Sequence, residues 1–302
     1  MPTDYRVIIY LLAAYVFFAL CIRHTIKRTN PGNSWYTLEL CTAVLFGFLL
    51  EWVGVHVLNY YYYGAHFIEI FNIPLSTPLG WAVIIYAAML TSDNLGIPNW
   101  CKPFMDSFLA LQIDLGMDVV ATRLGLWTWT MYDESVKWDL DWFGVPWGNY
   151  FGWIFTVLFF SLITRYFRKR YLNRKKSPVL YLIIPIVIIL LSEVGLYMAL
   201  EFGKLLQWLS IPDLAIALWP FFVIIPPSLI ALRYSKPISH HYGPSLWVPA
   251  FYHFYSYALL VFTPLPFVSD LLIMVNSAIL LAASLFHFWF IKRTKSACLQ
   301  YS

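Results

Sequence analysis

Charge is scarce in this sequence: 20 lysines and arginines with 16 aspartates and glutamates amount to only 12% of 302 residues. Soluble domains carry about 25%. A chain with 60% hydrophobic residues lacks the polar surface that a water-exposed fold needs, which excludes a soluble protein. Cysteine is sparse as well. Cys21, Cys41, Cys101 and Cys298 are scattered with no CxxC pair, so nothing points to zinc, an iron–sulfur cluster or a redox dithiol. The histidines His24, His56, His66, His240, His241, His253 and His287 form no HxxxH or HxxHH motif, so the pattern of membrane two-iron oxygenases is missing. The pair His240 and His241 lies in a polar stretch between Pro237 and Pro244 and makes no metal site alone. Walker, dinucleotide-glycine and GxSxG motifs are absent, as are internal repeats and low-complexity tails. No cofactor and no metal are expected.

What the sequence has is apolar runs, each long enough to cross a hydrocarbon core of about 30 Å as a helix. Candidates lie at 5–22, 36–58, 76–95, 103–124, 149–166, 178–200, 212–232, 246–265 and 267–291. Pro264 and Pro266, between the last two, mark either a tight turn or a kinked re-entrant pair. Pro220, Pro226 and Pro227 interrupt the seventh run. The expected fold is all-α: one integral membrane bundle over 1–302, with about seven to nine transmembrane helices.

Lysine and arginine beside transmembrane helices stay on the cytoplasmic side. With the N-terminus outside and the C-terminus cytoplasmic, only Arg6, Arg123, Lys137 and Lys204 of the 20 basic residues fall outside. The run Arg165 to Lys176 is explained by the same rule, so no nucleic-acid partner is expected. The outer loop Gly125 to Gly148 mixes Asp133, Glu134, Asp139 and Asp141 with Trp127, Trp129, Trp138, Trp142 and Trp147, a composition suited to headgroup depth.

An ionisable group at mid-membrane costs about 2.5 to 3.5 kcal/mol on insertion scales, so such groups are functional candidates. Glu51, Asp118 and Glu193 fall at a similar depth in the second, fourth and sixth runs. Asp114 sits one turn from Asp118 on the same face, and His56 and Arg123 lie near the outer boundary. These groups outline a polar pocket, or a structural network in which Arg123 neutralises a carboxylate. Two carboxyl groups side by side in a poorly hydrated site do not both ionise, which supplies an acid and a base without a cofactor. Aromatic faces from Trp52, Tyr60 to Tyr63, Trp127 and Trp129 can stabilise a carbocation.

Four segments carry a family likeness: LLEWVGVHVLNYYYYG at 49–64, PLGWAVIIYAAM at 78–89, DLGMDVVATRLGLWTW at 114–129 and FGVPWGNYFGW at 143–153. Together they resemble the carotenoid biosynthesis membrane family that includes the hydratases of bacterioruberin and of γ-carotene-type carotenoids. The resemblance covers roughly 38–165. Asp114, Asp118, Gly125, Trp127 and Trp129 match the family's aspartate–tryptophan motif, while Val119 stands where proline is usual. The resemblance implies addition of water across the terminal double bond of an acyclic carotenoid end, giving a tertiary alcohol. On this reading Asp118 or Asp114 is the proton donor, and Glu51 with the other aspartate stabilises the cation and orients water. Trp52, His56, Tyr62, Trp81, Arg123, Trp127, Trp129 and Glu193 bind the polyene. The expected partners are a lipophilic polyene or other isoprenoid and the lipid bilayer, in the plasma membrane of a bacterium or archaeon.

Two other readings stay open. DLGMD at 114–118 has the DxxxD form of intramembrane prenyltransferases, although their second aspartate motif is missing. A proton-coupled transporter or lipid-binding protein would also use buried carboxylates.

Overall fold

The structure, a computed structural model, describes residues 2–28, 35–131, 141–171, 178–236 and 243–299. Asp133, Glu134, Trp138, Asp139, His240, His241 and the basic residues Arg174 to Lys176 lie outside the described residues.

Each apolar run becomes a helix. In chain order these are α1 (Tyr5–Arg28), α2 (Trp35–Trp52), α3 (Ser76–Asn94), α4 (Lys102–Arg123), α5 (Trp147–Tyr171), α6 (Pro178–Trp208), α7 (Asp213–Arg233), α8 (Pro244–Phe262) and α9 (Asp270–Leu299). Among the described residues six of them are long and apolar enough to cross a membrane: α1, α2 with its continuation to Val57, α5, α6, α7 and α9. The protein is an all-α, multi-pass membrane bundle.

Of the remaining three, α8 is half-buried, whereas α3 and α4 are the inner helices. Every residue of α3 except Thr77 and Gly80 is buried, and α4 is buried along most of its length. Other helices surround them, so carboxyl groups on α3 and α4 meet protein rather than lipid tails. The outer helices have the opposite pattern, with Leu182, Tyr197, Met198, Phe222, Met274 and Phe288 exposed.

Three proline expectations resolve differently. Pro220, Pro226 and Pro227 sit inside an uninterrupted α7, since each removes a single N–H while neighbouring turns keep theirs. Pro264 and Pro266 fall in a turn between two separate helices, and Ser269 Oγ accepts from the Leu272 N–H at 3.2 Å to cap α9. With Val119 in place of proline, α4 continues unbroken to Arg123. α6 extends beyond the expected end at 200, carried by an exposed Lys204–Glu201 pair one turn apart.

The helices alternate in direction, which gives the bundle two polar ends. At the end where α1 finishes, Arg165 of α5 binds Asp106 of α4 (2.7 Å) and Asp93 of α3 (2.6 Å). Arg168 binds Glu39 of α2 (2.5 Å) and Asp93 (2.6 Å), and Lys102 also reaches Asp93 at 3.0 Å. Arg28 of α1 comes within 3.8 Å of Asp93 as well, so among the described residues three carboxylates face four cations across five helices. At the opposite end, α2 passes into a short π-helical turn, Val53–Val57, and then into β1 (Tyr61–Tyr63). β1 pairs antiparallel with β4 (Trp127–Trp129), Tyr61 opposite Trp129 and Tyr63 opposite Trp127. A smaller hairpin, β2 (Glu69–Ile70) with β3 (Ile73–Pro74), leads into α3.

Candidate functional site

Glu51 is buried near the end of α2, where the following strand folds back over it. Successive residues of a strand point to opposite faces, so Tyr61 and Tyr63 turn inward together and Tyr62 turns out. The Tyr61 hydroxyl donates to Glu51 Oε2 at 2.6 Å, and Tyr63 donates to the same oxygen. Trp81 of α3 donates its indole N–H to Glu51 Oε1 at 2.5 Å. Gly54 makes this possible: a Cβ there would lie 2.6 Å from the Tyr61 hydroxyl, so any side chain would block the tyrosine's path to the carboxyl. Burial first, and then the neighbouring Glu51, pushes both tyrosine hydroxyls well above their ordinary value, so both stay donors.

Asp114 and Asp118 lie on one face of α4, one turn apart. A single amide joins them, because Asn149 Nδ2 of α5 donates to Asp114 Oδ2 at 3.0 Å and to Asp118 Oδ2 at 2.6 Å. The second Asp114 oxygen is buried without a hydrogen-bond partner among the described residues. The Trp127 side chain approaches Asp118 from β4. No three histidine, cysteine, aspartate or glutamate side chains among the described residues are grouped as metal ligands would be.

Glu51 and Asp118 open into one cavity of about 910 Å³, near the upper end of the range for small-molecule sites. Aromatic side chains gather at this end of its lining: Tyr61, Tyr63, Trp81, Trp127, Trp129 and Trp153. Trp81 stacks on Trp153 with ring centroids 3.7 Å apart. From this acidic end the cavity runs past Glu193 to Val194 and Tyr197 of α6, which are 54% and 62% exposed. The cavity therefore opens on the outer surface of α6, and it opens as well at the loop end, beside the exposed Val57, Met131 and Lys204. Thr77 and Gly80, the two unburied positions of α3, face this cavity.

The structure brings together Glu51, Trp81, Asp118, Trp127, Trp129 and Glu193 on the cavity wall, with Asp114 behind Asp118 through Asn149. It does not bring Trp52, His56, Tyr62 or Arg123 to that wall. Trp52 is partly exposed and packs on His56, whose ring bonds the Phe71 carbonyl. Tyr62 is 55% exposed on the outer face of β1. Arg123 directs its guanidinium to the carbonyls of Val119, Phe143 and Phe267, tying the end of α4 to the turn before α9. Sequence reasoning weighed Tyr61 and Tyr63 only as ring faces, and the strand alternation of YYY was the signal that would have selected them over Tyr62. Asn149 lies in the segment at 143–153 that carries the family likeness, but its partners are more than thirty residues away, so the likeness alone does not tie it to the aspartates.

Fold and cavity together define the class: a multi-pass helical membrane protein with an internal cavity that bears aromatic and carboxyl side chains and opens in part on the outer surface of α6. Residues 5–210 match the model of the family described as carotenoid biosynthesis protein. That is more than half of the chain, and the chain belongs to this family. No curated protein and no solved structure matches it. The matched region runs from α1 through α6 and includes all the carboxyl groups of the cavity.

Proposed function

We propose that the protein hydrates the terminal carbon–carbon double bond of an acyclic carotenoid. The observation that carries this reading is the meeting of Asp118 and Glu51, from two different helices, in one aromatic cavity that reaches the lipid-facing surface of α6. An extended polyene enters from the bilayer past Val194 and Tyr197, and its end group comes to rest among the carboxyls.

Of the Asp114–Asp118 pair, bridged by Asn149, one carboxyl group keeps a proton, because two like charges side by side in a poorly hydrated site repel. Asp118, the one that faces the cavity, delivers it to the alkene carbon that yields the tertiary cation. Trp81, Trp127 and Trp129 present ring faces to that cation, each contributing about 0.5 to 2 kcal/mol. Glu51 is held still by three donors and provides the negative pole on the far side of the charge. Water then closes the cation to a tertiary alcohol, and its extra proton restores the acid. No cofactor takes part.

The arginine-rich end, with Arg28, Lys102, Arg165 and Arg168, faces the cytoplasm. The N-terminus is then outside, the C-terminus inside, and the acidic cavity in the outer half of a plasma membrane.

The test is expression in a bacterium that accumulates lycopene, followed by mass analysis of the pigments. One or two added waters, lost in an Asp118→Asn variant that still inserts in the membrane, would support the reading. Unchanged pigment in the presence of well-inserted protein would overturn it. Magnesium- and diphosphate-dependent alkylation of an isoprenoid would replace it with prenyl transfer.

A further inference from the structure

Opposite β1 and β4, the same cavity has a second polar wall that none of the motif segments contains. Tyr10 of α1 and Tyr252 of α8 both line the cavity that holds Asp118. Their rings meet edge to face with centroids 6.0 Å apart. The Tyr10 hydroxyl is buried and has no hydrogen-bond partner among the described residues, and Asp114 and Asp118 are close enough to act on it electrostatically. The Tyr252 hydroxyl points toward Gly80, where a Cβ would come to 3.9 Å. Ala14 and Gly80 also belong to the lining, so small side chains leave open space beside the Tyr252 hydroxyl.

A buried hydroxyl without a partner costs about 1 to 3 kcal/mol, and a chain with ample phenylalanine has no packing reason to retain one. Two hydroxyls in one part of the cavity supply two of the two to four hydrogen-bonding partners that an ordered water needs. An apolar substrate end offers those hydroxyls nothing, whereas water offers both a donor and an acceptor.

We propose that Tyr10 and Tyr252 bind the water that is added to the substrate. This rests on the hydration reading and assigns its nucleophile a place. The π bond of the terminal alkene breaks as a C–H bond forms with the proton from Asp118. The water on Tyr10 and Tyr252 then gives a lone pair to the cationic carbon, forming C–O. The proton it sheds returns to the carboxyl pair, so one water is consumed and the acid is regenerated. Both tyrosines act by positioning.

The experiment separates protonation from water capture. Full-length protein in lipid nanodiscs is supplied with lycopene in deuterated water, and mass analysis follows alcohol formation and deuterium incorporation into recovered carotene. Wild type forms alcohol. Tyr10→Phe, which keeps the ring packing, lowers alcohol formation about tenfold, the loss of one orienting hydrogen bond, while deuterium exchange into unhydrated carotene continues or rises. Gly80→Ala is the second variant. It adds a methyl group at ordinary contact distance and improves helix propensity by about 1 kcal/mol, yet it narrows the space beside the Tyr252 hydroxyl, so alcohol formation falls in a protein at least as stable as wild type. The proposal is overturned if Tyr10→Phe hydrates at the wild-type rate, or if exchange and hydration fall in equal proportion. Absence of any alcohol from wild type would instead sink the hydration reading itself, and the role of Tyr10 with it.

Discussion

Arg165→Met should destabilise the protein more than any comparable change on the lipid-facing surface. Arg165 donates to Asp106 Oδ2 from Nε at 3.0 Å and from Nη2 at 2.7 Å, and to Asp93 Oδ1 from Nη1 at 2.6 Å. Its Nη2 also reaches Ser92 Oγ at 2.8 Å and the Met89 carbonyl at 3.2 Å. The loss does not fall evenly on the two aspartates. Asp93 keeps Arg168, Lys102 and Arg28, whereas Asp106 is fully buried and among the described residues keeps the Ser92 and Ser161 hydroxyls. Removing one partner of a buried ion pair costs about 3 to 5 kcal/mol, mainly because the other charge is left uncompensated. The double variant Asp106→Leu with Arg165→Met removes both charges, and most of the loss should return, leaving a coupling of about 2 kcal/mol or more between the two positions. Reversible unfolding in mixed detergent micelles, followed by tryptophan fluorescence, measures all three variants. A loss under about 1 kcal/mol for Arg165→Met, or a double variant no better than the single, would refute the electrostatic account.

Two further predictions concern the opposite end. A Cβ on Gly64 would lie 1.9 Å from the Gly125 carbonyl oxygen, beside the Gly64 N–H bond to the Leu126 carbonyl. Gly64→Ala should therefore force β1 and β4 apart and cost about 1 to 3 kcal/mol in the same unfolding assay; wild-type stability would mean the strand pairing is looser than described. The tyrosines on Glu51 give a pH signature. Their folded-state values are raised above the ordinary 10.0, so their stabilisation is complete below that pH and is lost as pH rises beyond it. Unfolding free energy should decline above about pH 10 in wild type and decline less in Tyr61→Phe/Tyr63→Phe; equal slopes would show that neither hydroxyl is coupled to folding.

Elements could be read from the chain because each helix here is a continuous apolar run, and length and hydropathy are local properties. The runs at 76–95 and 103–124 were found that way, yet nothing local marked them as the enclosed pair. That follows from the other helices packing around α3 and α4. Rise per residue converts position into height, and Glu51, Asp118 and Glu193, placed at a similar height on that basis, line one cavity. Partners were not legible in that way. Glu39, Asp93 and Asp106 passed unnoticed among the acidic residues because their arginines lie on α5, 59 to 129 positions away for Asp106 and Glu39.

The sequence by itself determined a membrane bundle, its helices, the carboxyl groups at one depth and the family likeness of its motif segments, all of which depend on residue type and spacing along one strand or helix. Only the tertiary structure decided which aromatics touch the acids. It selected Tyr61 and Tyr63 over Tyr62, set Arg123 and His56 off the cavity wall, joined the aspartates through Asn149, and brought Tyr10 and Tyr252 from the two ends of the chain to one cavity. These are choices of azimuth and of neighbour. A helix's rotation about its own axis is fixed by the packing of all the others, so no stretch of sequence contains it.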